Sequence, residues 1–159
     1  MPYMILRLFY FMALLLFSSG TVLAQERTWN LDATDKQAFL TLGVQDSEDV
    51  GVSLWCEIGK GRMAIFLPES KVPLRTGENV LMIVTVDGVQ KQLHGLATKD
   101  AASGLMTVEG KFALKNMLIR RLQGAQTLAV RIKGHDNNFP FSEADFAGLL
   151  STCKGELQQ

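Results

Sequence analysis

A chain of 159 residues with 16 Lys plus Arg, 16 Asp plus Glu and a formal net charge of zero lacks the positive excess by which a general nucleic-acid binder displaces counterions. Its 47% hydrophobic content excludes disorder. Two cysteines are too few for a four-thiolate zinc site or a disulfide-dense small scaffold.

Residues 1–24 have the layout of a secretory signal peptide. Arg7 precedes an apolar run from Leu8 to Phe17, and Ser18, Ser19 and Gly20 lead into Val22-Leu23-Ala24. Cleavage is expected after Ala24. As a helix the apolar run spans about 15 Å, half of a hydrocarbon core of roughly 30 Å, so a cleaved signal fits better than an anchor. No cysteine follows the small residues, which argues against lipid attachment. Residues 25–159 are then expected to form a single β-rich periplasmic domain, large enough for one core. Membrane contact is expected only through the transient signal.

Along this domain, turn signals recur every eight to fifteen residues, the spacing of a mostly antiparallel β protein. Phe39–Val44 reads as a strand. Val52–Ile58 alternates well, placing Val52, Leu54, Cys56 and Ile58 on one face and Ser53, Trp55 and Glu57 on the other. Gly59-Lys60-Gly61 is a short turn, and Arg62–Leu67 returns as the partner strand until Pro68 stops it. Asn79–Val86 is strongly apolar. Asp87-Gly88 after it is a hairpin signal, because both residues tolerate positive φ, and Val89–Leu96 is the return strand. Asp100–Gly104 reads as a loop and Leu105–Val108 as another strand.

Two segments carry helical spacing. In Phe112–Leu122 the residues Leu114, Met117, Leu118 and Leu122 form an apolar stripe, with Lys115, Arg120 and Arg121 largely off it. Gly124 offers a stop. Thr127–Lys133 is a strand and Gly134–Asn138 a polar loop. The last helix is expected to start near Ser142 as N-cap, with Glu143 and Asp145 in its first turn. Its apolar positions Phe146, Leu149, Leu150 and Cys153 follow the i, i+3, i+4, i+7 pattern.

In an exported chain an even cysteine count favours a disulfide over two free thiols. Cys56 lies on the apolar face of a strand and Cys153 on the apolar face of the last helix. A bond between them would pin that helix to the sheet. The fold class expected is mainly β (β-rich α+β): an antiparallel sandwich or strongly bent sheet with two helices, the C-terminal one disulfide-linked to the sheet.

Candidate chemistry is sparse. His94 shares a strand face with Gln90 and Gln92 and reads as exposed. His135-Asp136 reads as a solvated pair, since a structural zinc site needs four ligands. No G-x-S-x-G, H-E-x-x-H or P-loop pattern is present. Glu57 and Asp87 are the carboxylates a glycosidase reading would draw on, and nothing in the pattern pairs them. Lys111, Lys115, Arg120 and Arg121 read as the solvated side of the first helix. Trp55 stands out, beside Ser53 and Glu57 on the face opposite Cys56. A partly exposed Trp can anchor a partner; the other reading packs it under a loop or second layer.

The run Leu54-Trp55-Cys56, then Val86-Asp87-Gly88, Met117–Leu122, Leu128–Ile132 and Phe146–Cys153 resembles small bacterial periplasmic proteins of the type VI secretion accessory kind, and more remotely the invasion-associated locus B family. The resemblance implies a secreted β domain of non-enzymatic function and carries over no catalytic residue. The function expected is therefore a non-catalytic periplasmic accessory or protein-binding protein of the bacterial cell envelope. An envelope protein is its expected partner, with Trp55, Ser53 and Glu57 as the contact and no metal, cofactor or nucleic acid. A small-ligand or lipid carrier and an envelope hydrolase are the alternatives.

Overall fold

Among the described residues, alternating apolar residues build nine strands and two short helices, in the order β1 (Thr28–Ala33), β2 (Gln37–Gly43), β3 (Val50–Glu57), β4 (Arg62–Pro68), β5 (Asn79–Val86), β6 (Val89–Lys99), β7 (Met106–Ala113), α1 (Met117–Leu122), β8 (Thr127–Ile132), β9 (His135–Pro140) and α2 (Phe146–Lys154). The computed structural model describes residues 26–68, 72–101 and 103–155. The export signal expected over 1–24 lies outside them.

All nine strands join one sheet in the order β1-β2-β3-β4-β7-β6-β5-β8-β9, and every pairing is antiparallel. The chain leaves β4, builds the meander β5-β6-β7, and lays β7 against β4. Helix α1 then carries it to the far side of β5, where β8 and β9 finish the sheet. The sheet curls until its two end strands meet. At this seam Trp29 of β1 donates its indole N–H to the carbonyl of Pro140 in β9, at 2.7 Å. The Trp29 ring stands edge-on to Phe141 with centroids 5.1 Å apart, within the usual range of favourable aromatic pairs.

The inward half of each alternation fills the curl. Leu40, Leu54, Ile65, Met82, Val84, Val108, Val130 and Ile132 are buried in one cluster. Two glycines make room within it. Gly95 and Gly110 face each other across β6 and β7, and Met82 packs over both. A Cβ on Gly95 would lie 2.6 Å from the Met82 sulfur, and one on Gly110 2.9 Å. Helix α2 buries Phe146, Leu149, Leu150 and Cys153, the positions its spacing predicts, and packs against β1, β2 and β3. Cys153 is bonded to Cys56 of β3, with Cα atoms 5.9 Å apart. The expected mainly β fold, its bent sheet, its two helices and its disulfide are all present.

Several local expectations are corrected. The helix expected over Phe112–Leu122 begins only at Met117. Phe112 and Ala113 extend β7 instead, opposite Met63 and Arg62. Burial of Phe112 and the ladder to β4 outweigh the helical spacing, and Asn116 caps the shortened helix by accepting from the Leu118 N–H at 3.0 Å. The stripe rotates accordingly: Leu118, Ile119 and Leu122 are buried, while Met117 is exposed. Gly134–Asn138 is no loop. It holds a tight turn and most of β9, whose outward residues are polar because it is an end strand. The turn residues Lys133 and Gly134 both have positive φ, as do Asp87 and Gly88 at the hairpin that the sequence does reveal. Lys in that conformation is uncommon, so the β8–β9 turn lacks a composition signal. Lys133 is held there by its Nζ, which donates to the Pro73 carbonyl at 2.9 Å and pairs with Glu78 at 2.6 Å. Helix α2 is capped by Asp145, which accepts from the Gly148 N–H at 2.9 Å, rather than by Ser142. Strand β1 carries no sequence expectation at all.

Candidate functional site

On the outer face of the sheet, register sets Phe39, Trp55, Ala64 and Lys111 in one row across β2, β3, β4 and β7. The middle of this row decides the shape of the surface. Ala64 has almost no side chain, so the tall residues on either side become walls and Ala64 the floor. The groove so formed encloses about 430 Å³ and is lined by Trp55, Glu57, Lys60, Arg62, Ala64 and Lys111, with Cys56 and Met63 beneath.

Trp55 is half-buried and firmly placed. Its ring stacks on Phe39, with centroids 6.0 Å apart and planes at 21°. Its Nε1 donates to Oε2 of Glu109 at 3.0 Å. The other carboxylate oxygen of Glu109 pairs with Lys111 Nζ at 3.0 Å, and that ammonium sits 5.7 Å from the Trp55 ring centroid. A cation at this distance is attracted by the ring's negative face. Each partner fixes another, so the indole reaches the surface in one orientation and loses little rotamer freedom on binding.

Of the residues singled out from sequence, Trp55 and Glu57 meet in this groove. Ser53 does not. It is only 7% exposed and its hydroxyl hydrogen-bonds that of Thr41 at 2.9 Å, one rung away beside Phe66. Lys111 leaves the helical face assigned to it and joins the groove from β7. Phe39, Lys60, Arg62 and Glu109 were not legible as site residues. The signal that finds them is alternation within each strand, read together with strand order, and strand order is not written locally.

Elsewhere, His94 is exposed on β6, as its strand face predicts. Asp136 is engaged by Arg131 through two hydrogen bonds of 2.7 and 2.9 Å. Among the described residues no three His, Cys, Asp or Glu side chains are grouped to hold a metal ion. A second hollow of about 500 Å³ lies near the seam, lined in part by Arg27, Asp49, Phe66, Thr107 and Phe139. There Arg27 and Asp49 form an ion pair. No family model, curated protein or solved structure matches the chain.

Proposed function

We propose that the chain is an exported, non-catalytic accessory protein of the bacterial cell envelope, and that it binds another protein through the outer sheet face centred on Trp55. One observation carries this reading. A tryptophan on the outer face of a sheet is held by Phe39, Glu109 and Lys111 yet remains part-exposed beside an open groove. Tryptophan is among the residues most enriched at the anchoring positions of protein interfaces. The Cys56–Cys153 bond supports the exported location, because such bonds persist in oxidising compartments. The likeness to type VI secretion accessory proteins belongs to the same proposal and rests on those cysteines with their strand and helix. The side chains that fill the curl around Met82, Gly95 and Gly110 favour a binding surface over a carrier's internal cavity.

The test is crosslinking in intact cells that secrete the protein. Wild type is expected to give a defined adduct with an envelope protein, and Trp55→Ala is expected to lose it while keeping its thermal stability within about 1–2 kcal/mol. Undiminished crosslinking of Trp55→Ala to every partner of the wild type refutes the reading.

A further inference from the structure

Resting on that reading of the Trp55 face, we propose that the groove receives an acidic, extended segment of the partner protein. Its carboxylates meet Lys60 and Arg62, and an apolar side chain lies on Ala64 against Trp55.

Charge carries the argument. Three cations, Lys60, Arg62 and Lys111, line the groove, against one acid, Glu57. Among the described residues, neither Lys60 nor Arg62 forms an ion pair, whereas Lys111 in the same groove is paired with Glu109. Glu109, the remaining acid beside the groove, is already engaged by Trp55 and Lys111. Two cations are thus left without an ion-pair partner at one end of a hollow floored by Ala64 and walled on one side by Trp55. An extended chain suits this shape, since its side chains alternate between the groove and solvent. A flat anionic membrane fits less well, because Glu57 and Glu109 stand among the cations and a broad negative surface would meet both. The recognition mode is that of an acidic motif held by basic side chains beside an aromatic anchor.

Binding to the folded domain, measured by fluorescence anisotropy, tests the proposal. The probes are a fluorescein-labelled synthetic peptide of alternating Glu and Leu, the same peptide with Lys in place of Glu, and vesicles of phosphatidylglycerol. The Glu-Leu peptide is expected to bind and to weaken as salt rises. The Lys-Leu peptide is expected not to bind. Lys60→Glu with Arg62→Glu is expected to weaken the Glu-Leu peptide at least about tenfold, the scale of two exposed charge contacts reversed in sign. Lys91→Glu, an exposed reversal on β6, is expected to leave it unchanged. Should the double reversal misfold by circular dichroism, Lys60→Gln with Arg62→Gln replaces it and is expected to act in the same direction.

No binding of the Glu-Leu peptide at millimolar concentration overturns the proposal, as does equal binding of the Lys-Leu peptide or indifference to the charge substitutions. Vesicle binding that depends on Lys60 and Arg62 while the peptide stays free also overturns it, in favour of a membrane surface. The two readings fail separately. An envelope crosslink lost in Trp55→Ala but kept in the double reversal retains the Trp55 face and removes the acidic segment. A crosslink kept in Trp55→Ala removes the face itself.

Discussion

The indole N–H of Trp55 points at the carboxylate of Glu109, 54 residues further along the chain, with 3.0 Å between Nε1 and Oε2. Glu109 is thereby the residue that sets the position of the proposed anchor. Glu109→Ala leaves the part-buried N–H without its acceptor and releases Lys111, at a cost of about 1–2 kcal/mol. Glu109→Gln keeps an acceptor and is expected to recover most of that loss. Thermal unfolding reads the stability. Trp fluorescence reads the ring, with a red shift and lower anisotropy expected in Glu109→Ala and little change in Glu109→Gln. Identical spectra for the two variants refute the positioning role.

Gly95→Ala is expected to destabilise by about 1–3 kcal/mol, the usual scale for a methyl group forced into a filled core. Its Cβ would approach Met82 Sδ at 2.6 Å and Val108 Cγ1 at 2.7 Å. Gly110→Ala is expected to cost less, since only Met82, at 2.9 Å, stands closer than 3.4 Å to its Cβ. Because Met82 is the common obstacle, Met82→Ala combined with Gly95→Ala is expected to lose less stability than the two single changes together. Strict additivity in urea unfolding argues against the shared notch.

Removing the Cys56–Cys153 bond frees a loop closed over a sequence separation of 97. Loop entropy assigns such a crosslink up to about 4–5 kcal/mol, and the usual range for a native bond is about 2–4. Cys56→Ser with Cys153→Ser, or reduction of wild type, is expected to lower unfolding stability by that order. Helix α2 keeps the buried Phe146, Leu149 and Leu150, so its contacts with β1 and β2 are expected to persist. Non-reducing mass spectrometry showing two free thiols in the purified protein refutes the pairing.

Asp87 links the β5–β6 turn to the start of β8. Its carboxylate accepts from the Gln126 N–H at 3.0 Å and from the Thr127 N–H at 2.9 Å. The backbone hydrogen bond from Thr127 is the main influence; desolvation opposes it, and the further hydrogen bonds from the Gln126 N–H and the Thr127 hydroxyl help hold the pKa below the ordinary carboxylate value. Lowered in the folded state, such a pKa gives a contribution that is fully present above the unfolded value, about 4, and is lost as pH falls through the folded one. Asp87→Asn, which suits the positive φ of this position, removes that dependence. The stability gap between wild type and Asp87→Asn is expected to narrow as pH falls below about 4. A gap constant from neutral pH to pH 3 refutes the linkage.

Much of this protein was legible strand by strand. Asn79–Val86 emerges with the boundaries its apolar run predicts, and the Asp87-Gly88 turn closes its hairpin. The four apolar positions of α2 are the four it buries. Legibility failed where an element's reason lay elsewhere in the chain. Phe112 has helical spacing but extends β7 because β4 is there to pair with it. Strand β9 is polar along its outer side and is a strand because β8 binds it. At the site, Trp55 and Glu57 were visible because they share one face of one strand. Ser53 shares that face too, yet Thr41 and Phe66 cover it.

The sequence by itself determined which half of strands such as β3 and β8 turns inward, where the Asp87-Gly88 turn falls, and that Cys56 and Cys153 both face the core, since these depend on side-chain patterns over a few residues. Only the tertiary structure decided that β7 lies beside β4. That choice sets Lys111 across Ala64 from Trp55 and leaves Lys60 and Arg62 at the rim. It depends on which distant edges pair as the sheet curls, a balance of burial summed over the whole core that no local stretch encodes.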